Sequence, residues 1–205
     1  MIMHGEKTIN LEVPLMRQKT GHDCSIACGL MMIRYYKKDI EYDDFIVKRD
    51  ALGRVNIFDL ATSLKKNGLN PSILFFNYSF FDDANFLSKI ESITKRGIFT
   101  SIKDCISEGI PIKHKVFFTR DIEKLLISKR PVITLVSVRE FRKIKMEKWR
   151  GHFIVIRGFD DKYFYYNDPH WDNKKFGKHK IEKELLMASV YRTNFPAILW
   201  VEDKP

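Results

Sequence analysis

The chain has 205 residues, 44% of them hydrophobic, and a formal net charge of +10 at pH 7. This length and apolar content exclude a bulk-disordered chain and suffice for one domain with a substantial core. No apolar run approaches the roughly 18 residues of a membrane helix, and the first residues lack a secretory signal pattern. The sequence therefore predicts a single domain over residues 1–205, located in the cytoplasm and without membrane insertion.

The cysteine content indicates the cellular compartment, and the net charge indicates the kind of binding partner. Cys24, Cys28 and Cys105 include no Cys-x-x-Cys pair, which argues against a disulfide scaffold and for a reducing compartment. The positive charge favours an acidic partner, but no nucleic-acid-binding motif accompanies it, so we predict no specific nucleic acid. The densest basic run, Arg139 to Arg150, alternates with apolar residues and predicts a solvent-exposed helix face.

The predicted elements of the first part begin with two helices. Apolar residues recur at helical spacing from Cys24 to Tyr36, and Asp23 is a candidate N-cap. A second helix is predicted from about Ile57 to Lys66, where Asn56 can cap the start and Gly68 can end the helix.

Further along, Pro71 to Phe76 reads as a short strand. The segment from Phe80 to Cys105 predicts one or two helices and a loop. Asp121 to Ser128 is predicted to be helical, with Thr119 as its cap.

The last third of the chain is rich in β-branched and aromatic residues and predicts strands. These are 132–138, 152–159, 163–168 and 197–201. The short turn between the second and third of them implies antiparallel pairing. The pattern predicts an α+β fold, with a helical lobe over about 17–128 packed on a C-terminal antiparallel sheet over about 130–203.

Cys24 is the first candidate for chemistry, because it lies at the predicted start of a helix. Unpaired backbone N–H groups and the helix dipole favour a negative charge there, and the thiolate is the nucleophilic form of cysteine. The N–H of Cys24 and the side chain of Gln18, six positions earlier, are candidate donors to an oxyanion.

His152 and Asp168 are predicted to be neighbours. His152 opens one strand and Asp168 ends the next, and in an antiparallel hairpin these ends lie side by side. Asp168 can then orient the imidazole and stabilise its protonated form, so Cys24, His152 and Asp168 match the nucleophile, base and orienting group of acyl transfer. Asn167 either steadies this site or only closes the strand.

Two segments resemble a known family. The run from Val13 to Gln18 and on through Asp23-Cys24-Ser25-Ile26-Ala27-Cys28 resembles the nucleophile motif of papain-like peptidases that remove double-glycine leaders from bacteriocins. The run Gly151 to Phe159, followed by Asn167-Asp168-Pro169, resembles the His and Asp motifs of that family. These motifs are also similar to those of the guanylyl cyclase domain-containing protein 1 family.

The resemblance implies a papain-like fold and a cysteine peptidase or amide hydrolase. It assigns Cys24 as nucleophile, His152 as base, Asp168 as orienting group and Gln18 as oxyanion residue, with a peptide, isopeptide or protein substrate and no cofactor or metal. Ser25 stands where that family usually has glycine, which bears on how closely a substrate approaches Cys24.

Three further residues are predicted to bind the substrate, and alternative functions of the protein stay open. Ser25, Gly151 and Trp171 are candidate substrate-binding residues, and the last belongs to a His170-Trp171-Asp172 run that can line a rim. His22 with nearby cysteines fits no zinc spacing. The alternative functions are a non-catalytic binding or adaptor module on the same fold and, from the related family's name alone, a guanylyl cyclase. A cyclase requires paired metal-binding carboxylates, which the sequence does not present.

Overall fold

The protein is described by a computed structural model that covers residues 8–36, 39–45, 47–50, 53–77, 97–145 and 150–204. In these ranges, eight strands form one sheet. The strands are β1 (Ile9–Asn10), β2 (Pro71–Phe75), β3 (Ile112–His114), β4 (Val132–Ser137), β5 (Gly151–Phe159), β6 (Tyr163–Asp168), β7 (Gly177–Glu182) and β8 (Ala197–Val201). The helices are α1 (Cys24–Tyr35), α2 (Ile57–Lys66), α3 (Ile98–Ser107), α4 (Thr119–Ile127), α5 (Val138–Phe141) and α6 (Lys183–Tyr191), with a 3-10 turn at Tyr42–Asp44.

Helices cover both faces of the sheet. The order of strands along the path is β3-β2-β8-β4-β5-β6-β7, with β1 paired to β5. One hydrophobic core joins α1, α2 and α3 to the first face, and a second core joins α4 and α6 to the other. Because alternate side chains of a strand point to opposite faces, Phe153 of β5 packs in the first core and Ile154 in the second. The α+β class predicted from the sequence is confirmed.

The predicted helices near the nucleophile are confirmed. Helix α1 begins at Cys24 and is buried over most of its length. Helix α2 spans the predicted residues, and the side chain of Asn56 accepts hydrogen bonds from the N–H groups of Phe58 and Asp59. Gly68 adopts φ +75° just beyond α2, a conformation that favours glycine.

The two predicted helix caps have different outcomes, and only that of Thr119 was wrong. Thr119 is the first residue of α4, not its cap, and the capping position is Phe118, whose N–H donates to the carboxylate of Asp121. Asp23 occupies the N-cap position of α1 as predicted, but its carboxylate makes no hydrogen bond to the first turn of the helix. It instead accepts from the N–H of Thr20 and forms an ion pair with Arg49 at 2.8 Å, which fixes the turn before the helix.

The sheet differs from the prediction in its composition. Strand β2 was predicted, but β2 and β3 both come from the part of the chain assigned to the helical lobe. They pair parallel, so the sheet is mixed. Strand β8 lies between β2 and β4 and pairs antiparallel with both. Strands β1, β3 and β7 and helix α6 were not predicted. Part of the predicted Phe80 to Cys105 segment lies outside the described residues, and the rest contains α3.

The basic run at Arg139 to Arg150 was predicted to be an exposed helix face, and its described basic residues other than Arg142 are exposed, but little of it is helical. Helix α5 ends at Phe141, and residues 146–149 lie outside the described ranges. Phe141 is buried, and the side chain of Arg142 turns inward toward Asp168. Tertiary contacts therefore override the periodic pattern of this segment.

Gly158 permits the close approach of β1 to β5. A Cβ at this position would lie 2.2 Å from the carbonyl oxygen of Ile9 and 2.9 Å from Cα of Asn10. We expect Gly158→Ala to destabilise the fold by about 1–3 kcal/mol, because backbone must move to make room. Thermal melting should show a fall of several degrees. Gly21→Ala is the matched control, since its Cβ would meet nothing within 4 Å, and equal melting of the two variants would contradict the expectation.

Candidate active site

Cys24 lies at the N-terminus of α1, beside the start of β5. Its side chain is partly exposed, whereas Cys28, one turn later, is buried. The side chain of His152 and the backbone N–H groups of Phe153 and Ser25 favour the thiolate and lower the pKa of Cys24. The first turn of a helix leaves N–H groups unpaired, so this location supplies donors to a negatively charged sulfur.

His152 connects Cys24 to Asp168. It is the second residue of β5, it is 5% exposed, and its Nε2 lies 2.7 Å from Oδ1 of Asp168. The same ring interacts with the Cys24 side chain, which raises the pKa of His152. Since Nε2 is engaged by Asp168, we infer that Nδ1 serves the thiol. The structure thus brings together the three residues that the sequence predicted as neighbours.

The electrostatics of these groups favour a thiolate facing an imidazolium. Burial would raise the pKa of the Cys24 thiol, but the hydrogen bond and charge of His152 bring it below its ordinary value. Burial would lower the pKa of His152, but its hydrogen bonds to Asp168 and Cys24 raise it above the ordinary value of histidine. The two shifts oppose each other in direction, as in an activated cysteine–histidine pair.

Asp168 is fully buried and its two oxygens have different partners. Oδ1 accepts from His152 and from the backbone N–H of His170 at 2.9 Å, and Oδ2 accepts from Nη2 of Arg142 at 2.8 Å. Burial would raise the pKa of this carboxyl group, yet the hydrogen bond and charge of His152 and the charge of Arg142 hold it below its usual value. Asp168 is therefore a carboxylate at neutral pH.

Gln18 lies close to this assembly but its amide is engaged elsewhere. The side chain is 3% exposed, and Nε2 donates to the carbonyl of Thr20 at 2.6 Å. The backbone N–H of Gln18 donates to the carbonyl of Pro169 at 2.8 Å, which ties the segment before the nucleophile to the residue after Asp168. A primary amide carries two N–H protons, so one remains for another acceptor.

Asn167 joins the strand of Asp168 to the nucleophile helix. Its Nδ2 donates to the carbonyl of Val13 at 3.1 Å and contacts Sδ of Met31 in α1 at 3.7 Å. These contacts favour the interpretation in which Asn167 steadies the site rather than only closing the strand.

A cleft of about 270 Å³ opens beside Cys24. Ser25 and Gly151, both predicted to contact substrate, lie in its wall, together with apolar residues from other elements. The lining residues are Gly21, His22, Cys24, Ser25, Asp50, Arg54, Val55, Asn56, Leu135, Gly151 and Phe153. A cleft with mostly apolar walls next to a nucleophile is suited to an extended peptide segment.

Trp171 is not part of this cleft, although the sequence predicted it to bind substrate. Its indole is 58% exposed and stacks on the ring of His170, with 5.6 Å between ring centroids. The His170 ring in turn lies 5.6 Å from that of His152. Burial, followed by the positive charges of His152 and Arg142, lowers the pKa of His170 to about 4, so this ring is neutral at neutral pH.

The sequence did not predict that Arg142 contacts Asp168, or that Asp50 and Arg54 line the cleft beside Cys24. Arg142 was one of several basic residues in a run, and nothing local distinguished it from its neighbours. Asp50 and Arg54 form a 2.8 Å ion pair that shapes a loop against the cleft. The i, i+4 spacing of an acidic and a basic residue was a visible signal for that pair, but not for its location.

Among the described residues, neither the other two cysteines nor a metal-binding cluster provides a second reactive centre. Burial raises the pKa of Cys28 and that of Cys105, the latter to about 12, so both stay neutral thiols. Over the part of the chain that is described, no three His, Cys, Asp or Glu side chains are grouped as a metal site requires. In the same ranges, no helix is long and apolar enough to cross a bilayer.

Comparison with known proteins gives one family and several similar structures. The model of the Peptidase_C39 like family matches residues 10–195. Among curated proteins, none matches. A solved structure from Bacillus anthracis, described as a C39-like peptidase, has a TM-score of 0.56 and 13% identity, covering 97% of this chain and 100% of the other.

Two other solved structures have similar scores. One is a double glycine motif protease from an AMS/PCAT transporter in complex with the leader peptide, with a TM-score of 0.52 and 18% identity over 97% of this chain and 99% of the other. The second is the peptidase domain of Streptococcus ComA, a bifunctional ABC transporter. It has a TM-score of 0.52 and 15% identity, covering 94% of this chain and 100% of the other. At these identities the structures establish a shared fold.

Proposed function

Because this chain belongs to the Peptidase_C39 like family and is a cysteine peptidase, we propose that it cleaves peptide bonds with Cys24 as nucleophile, His152 as acid–base group and Asp168 as orienting group. The observation that carries the proposal is the placement of the buried His152 ring between Cys24 at the start of α1 and the Asp168 carboxylate. Nε2 of His152 lies 2.7 Å from Oδ1 of Asp168, and the interaction of the ring with Cys24 raises the pKa of His152. Such a chain of three groups activates a thiol and supplies a proton.

The proposed reaction proceeds in two stages. The Cys24 thiolate attacks the carbonyl carbon, a C–S bond forms, and the carbonyl π electrons move to oxygen. As the C–N bond breaks, protonated His152 transfers its proton to the leaving amine, giving a thioester and neutral imidazole. Water then loses a proton to His152 and attacks the thioester. The C–S bond breaks, the carboxylic acid leaves, and the thiolate–imidazolium pair is restored.

Oxyanion stabilisation is proposed for the Cys24 N–H and the Gln18 side chain. The Cys24 N–H belongs to the unpaired first turn of α1. Gln18 keeps one amide proton beyond that donated to Thr20, and its buried position limits the motion needed to direct it toward the site. Donors held in place before the reaction stabilise the developing negative charge. Ser25 and Gly151 are proposed to contact the substrate in the cleft, and Trp171 to contact it outside the cleft, beside His170.

The proposed substrate is a peptide or protein segment in extended conformation. One structure of similar fold is a double glycine motif protease in complex with a leader peptide, so a peptide with two glycines before the scissile bond is the first to assay. Transfer of the acyl group to an amine instead of water uses the same thioester and is distinguished by adding an amine acceptor. The net charge of +10 supports an additional preference for acidic partners.

The first test uses limiting iodoacetamide across a pH series, with each cysteine mapped by mass spectrometry. Because His152 lowers the Cys24 pKa, Cys24 is expected to react rapidly near about pH 6, well below the ordinary thiol pKa of roughly 8.5. In His152→Ala the remaining burial raises that pKa, so the reaction should slow at pH 6. Buried Cys28 and Cys105 serve as internal controls.

The same experiment has an outcome that overturns the proposal. If Cys24 reacts no faster than a free thiol and is insensitive to His152→Ala, the cysteine–histidine pair does not operate. A binding or adaptor role on a peptidase fold would then be the better account, and polyanion or acidic-protein binding would be measured instead.

Two further hypotheses accompany the proposed activity. A closer relationship to the guanylyl cyclase domain-containing protein 1 family is supported by the Asp-Cys and Asn-Asp-Pro runs at 23–24 and 167–169. Cyclase activity would survive Cys24→Ala, whereas peptidase activity would not. A single domain in the cytoplasm is proposed from the length and the unpaired thiols.

A further inference from the structure

Arg142 contacts a catalytic group without facing the proposed reacting atoms. Its Nη2 lies 2.8 Å from Oδ2 of Asp168, while Oδ1 of the same carboxylate serves His152. The Arg142 side chain is 16% exposed and that of Asp168 is 1% exposed, so the contact is largely out of water. A charged group so placed interacts more strongly than one on the surface.

The charges of the site alternate when Arg142 is included. In the active form Cys24 is negative, His152 positive and Asp168 negative, which leaves one uncompensated negative charge in a buried cluster. Arg142 neutralises that charge. Without it, every group in the cluster would gain a proton more readily, because removal of a positive charge favours protonation of its neighbours.

The geometry also restrains Asp168. A carboxylate rotates about its terminal bond unless both oxygens are held, and here each oxygen has a defined partner. Arg142 is itself anchored, since its backbone N–H donates to the carbonyl of Val138 at 3.0 Å and α5 packs against α6. The orientation of the carboxylate, and through it that of the His152 ring, thus depends on the segment after β4.

We propose that Arg142 is a positioning residue of this site, which holds Asp168 in its orientation toward His152 and balances the negative charge of the buried cluster. The inference rests on the proposed roles of Cys24, His152 and Asp168. The groups that titrate around the contact are few among the described residues. They are Cys24 and Cys28 on α1, His152 on β5, Tyr166 on β6 and His170 after it.

The test measures the pH dependence of Cys24 alkylation by iodoacetamide in Arg142→Met and Arg142→Lys. Loss of the charge is expected to move the rise of reactivity to higher pH and to lower the rate near pH 6 by about 10- to 100-fold. Arg142→Lys retains a positive charge and should recover most of the rate. Arg139→Met is the matched control, because this exposed residue on α5 has no described contact with the cluster.

The outcomes separate this inference from the proposed function. A wild-type protein without accelerated alkylation would overturn the proposed function itself. If Cys24 of the wild type is alkylated rapidly and its reactivity rises at the same pH in Arg142→Met, the role of Arg142 alone is overturned. If Arg142→Met is poorly folded by circular dichroism, Arg142→Lys decides: a fall of about 10-fold or more in alkylation rate near pH 6 in this charged variant contradicts charge balance.

Discussion

Replacement of Cys24 by alanine is expected to lower kcat/KM for peptide hydrolysis by about 10⁴-fold or more, since no other described thiol is placed to form the thioester. The fold should persist, because the side chain is partly exposed and its removal leaves the buried residues of α1 in place. Activity is measured on a peptide found by substrate profiling, and stability by thermal melting.

The matched control is Cys28→Ala, one turn along the same helix. This residue is buried and its thiol stays neutral, so the variant should keep most of the activity while losing some stability. NMR titration adds a second readout. The Cys24 side chain contributes to the raised pKa of His152, so that pKa should fall in Cys24→Ala. Cleavage by Cys24→Ala at more than a tenth of the wild-type rate would exclude Cys24 as nucleophile.

Replacement of Asp168 by alanine should impair both stability and activity. It leaves the guanidinium of Arg142 and the ring of His152 without their carboxylate in a buried place. We expect the free energy of unfolding to fall by about 3–5 kcal/mol, as for other buried ion pairs that lose one partner. The activity should fall by roughly 10³- to 10⁴-fold, because the imidazolium loses its stabilising charge. Urea unfolding and hydrolysis rates measure the two effects.

Asp168→Asn keeps the shape of the side chain and removes its charge. Since the folded state lowers the Asp168 pKa, the carboxylate stabilises the native protein at neutral pH and this contribution disappears as pH falls through the folded-state pKa. The stability difference between wild type and Asp168→Asn should therefore shrink on acidification. A difference that is constant from neutral to acidic pH would show that the charge of Asp168 does not stabilise the fold.

Much of the fold could be predicted because its signals are local. Residues close in sequence determine the cap at Asn56 and the helix that begins at Cys24. The same holds for the β-branched runs of β4 and β5. The hairpin of β5 and β6 likewise follows from a short turn, and it places His152 near Asp168. These features need no knowledge of the tertiary structure.

Other features depend on contacts between distant parts of the chain. The Arg142 side chain turns inward because a buried carboxylate, 26 residues later, provides its partner. Strand β7 alternates charged residues with few apolar ones, so its polar composition conceals a strand that pairs along the whole length of β6. Phe118 takes the capping position of α4 because Asp121 reaches back to its N–H, which Thr119 as a cap would not allow.

The central position of β8 has a consequence for synthesis of the protein. Ile133 of β4 and Ile73 of β2 both pair with Leu199, so the two halves of the sheet are joined through a strand translated after all the others. A ribosome-bound chain that stops short of β8 has two open sheet edges, and premature termination there should yield an aggregation-prone product rather than a weakened enzyme.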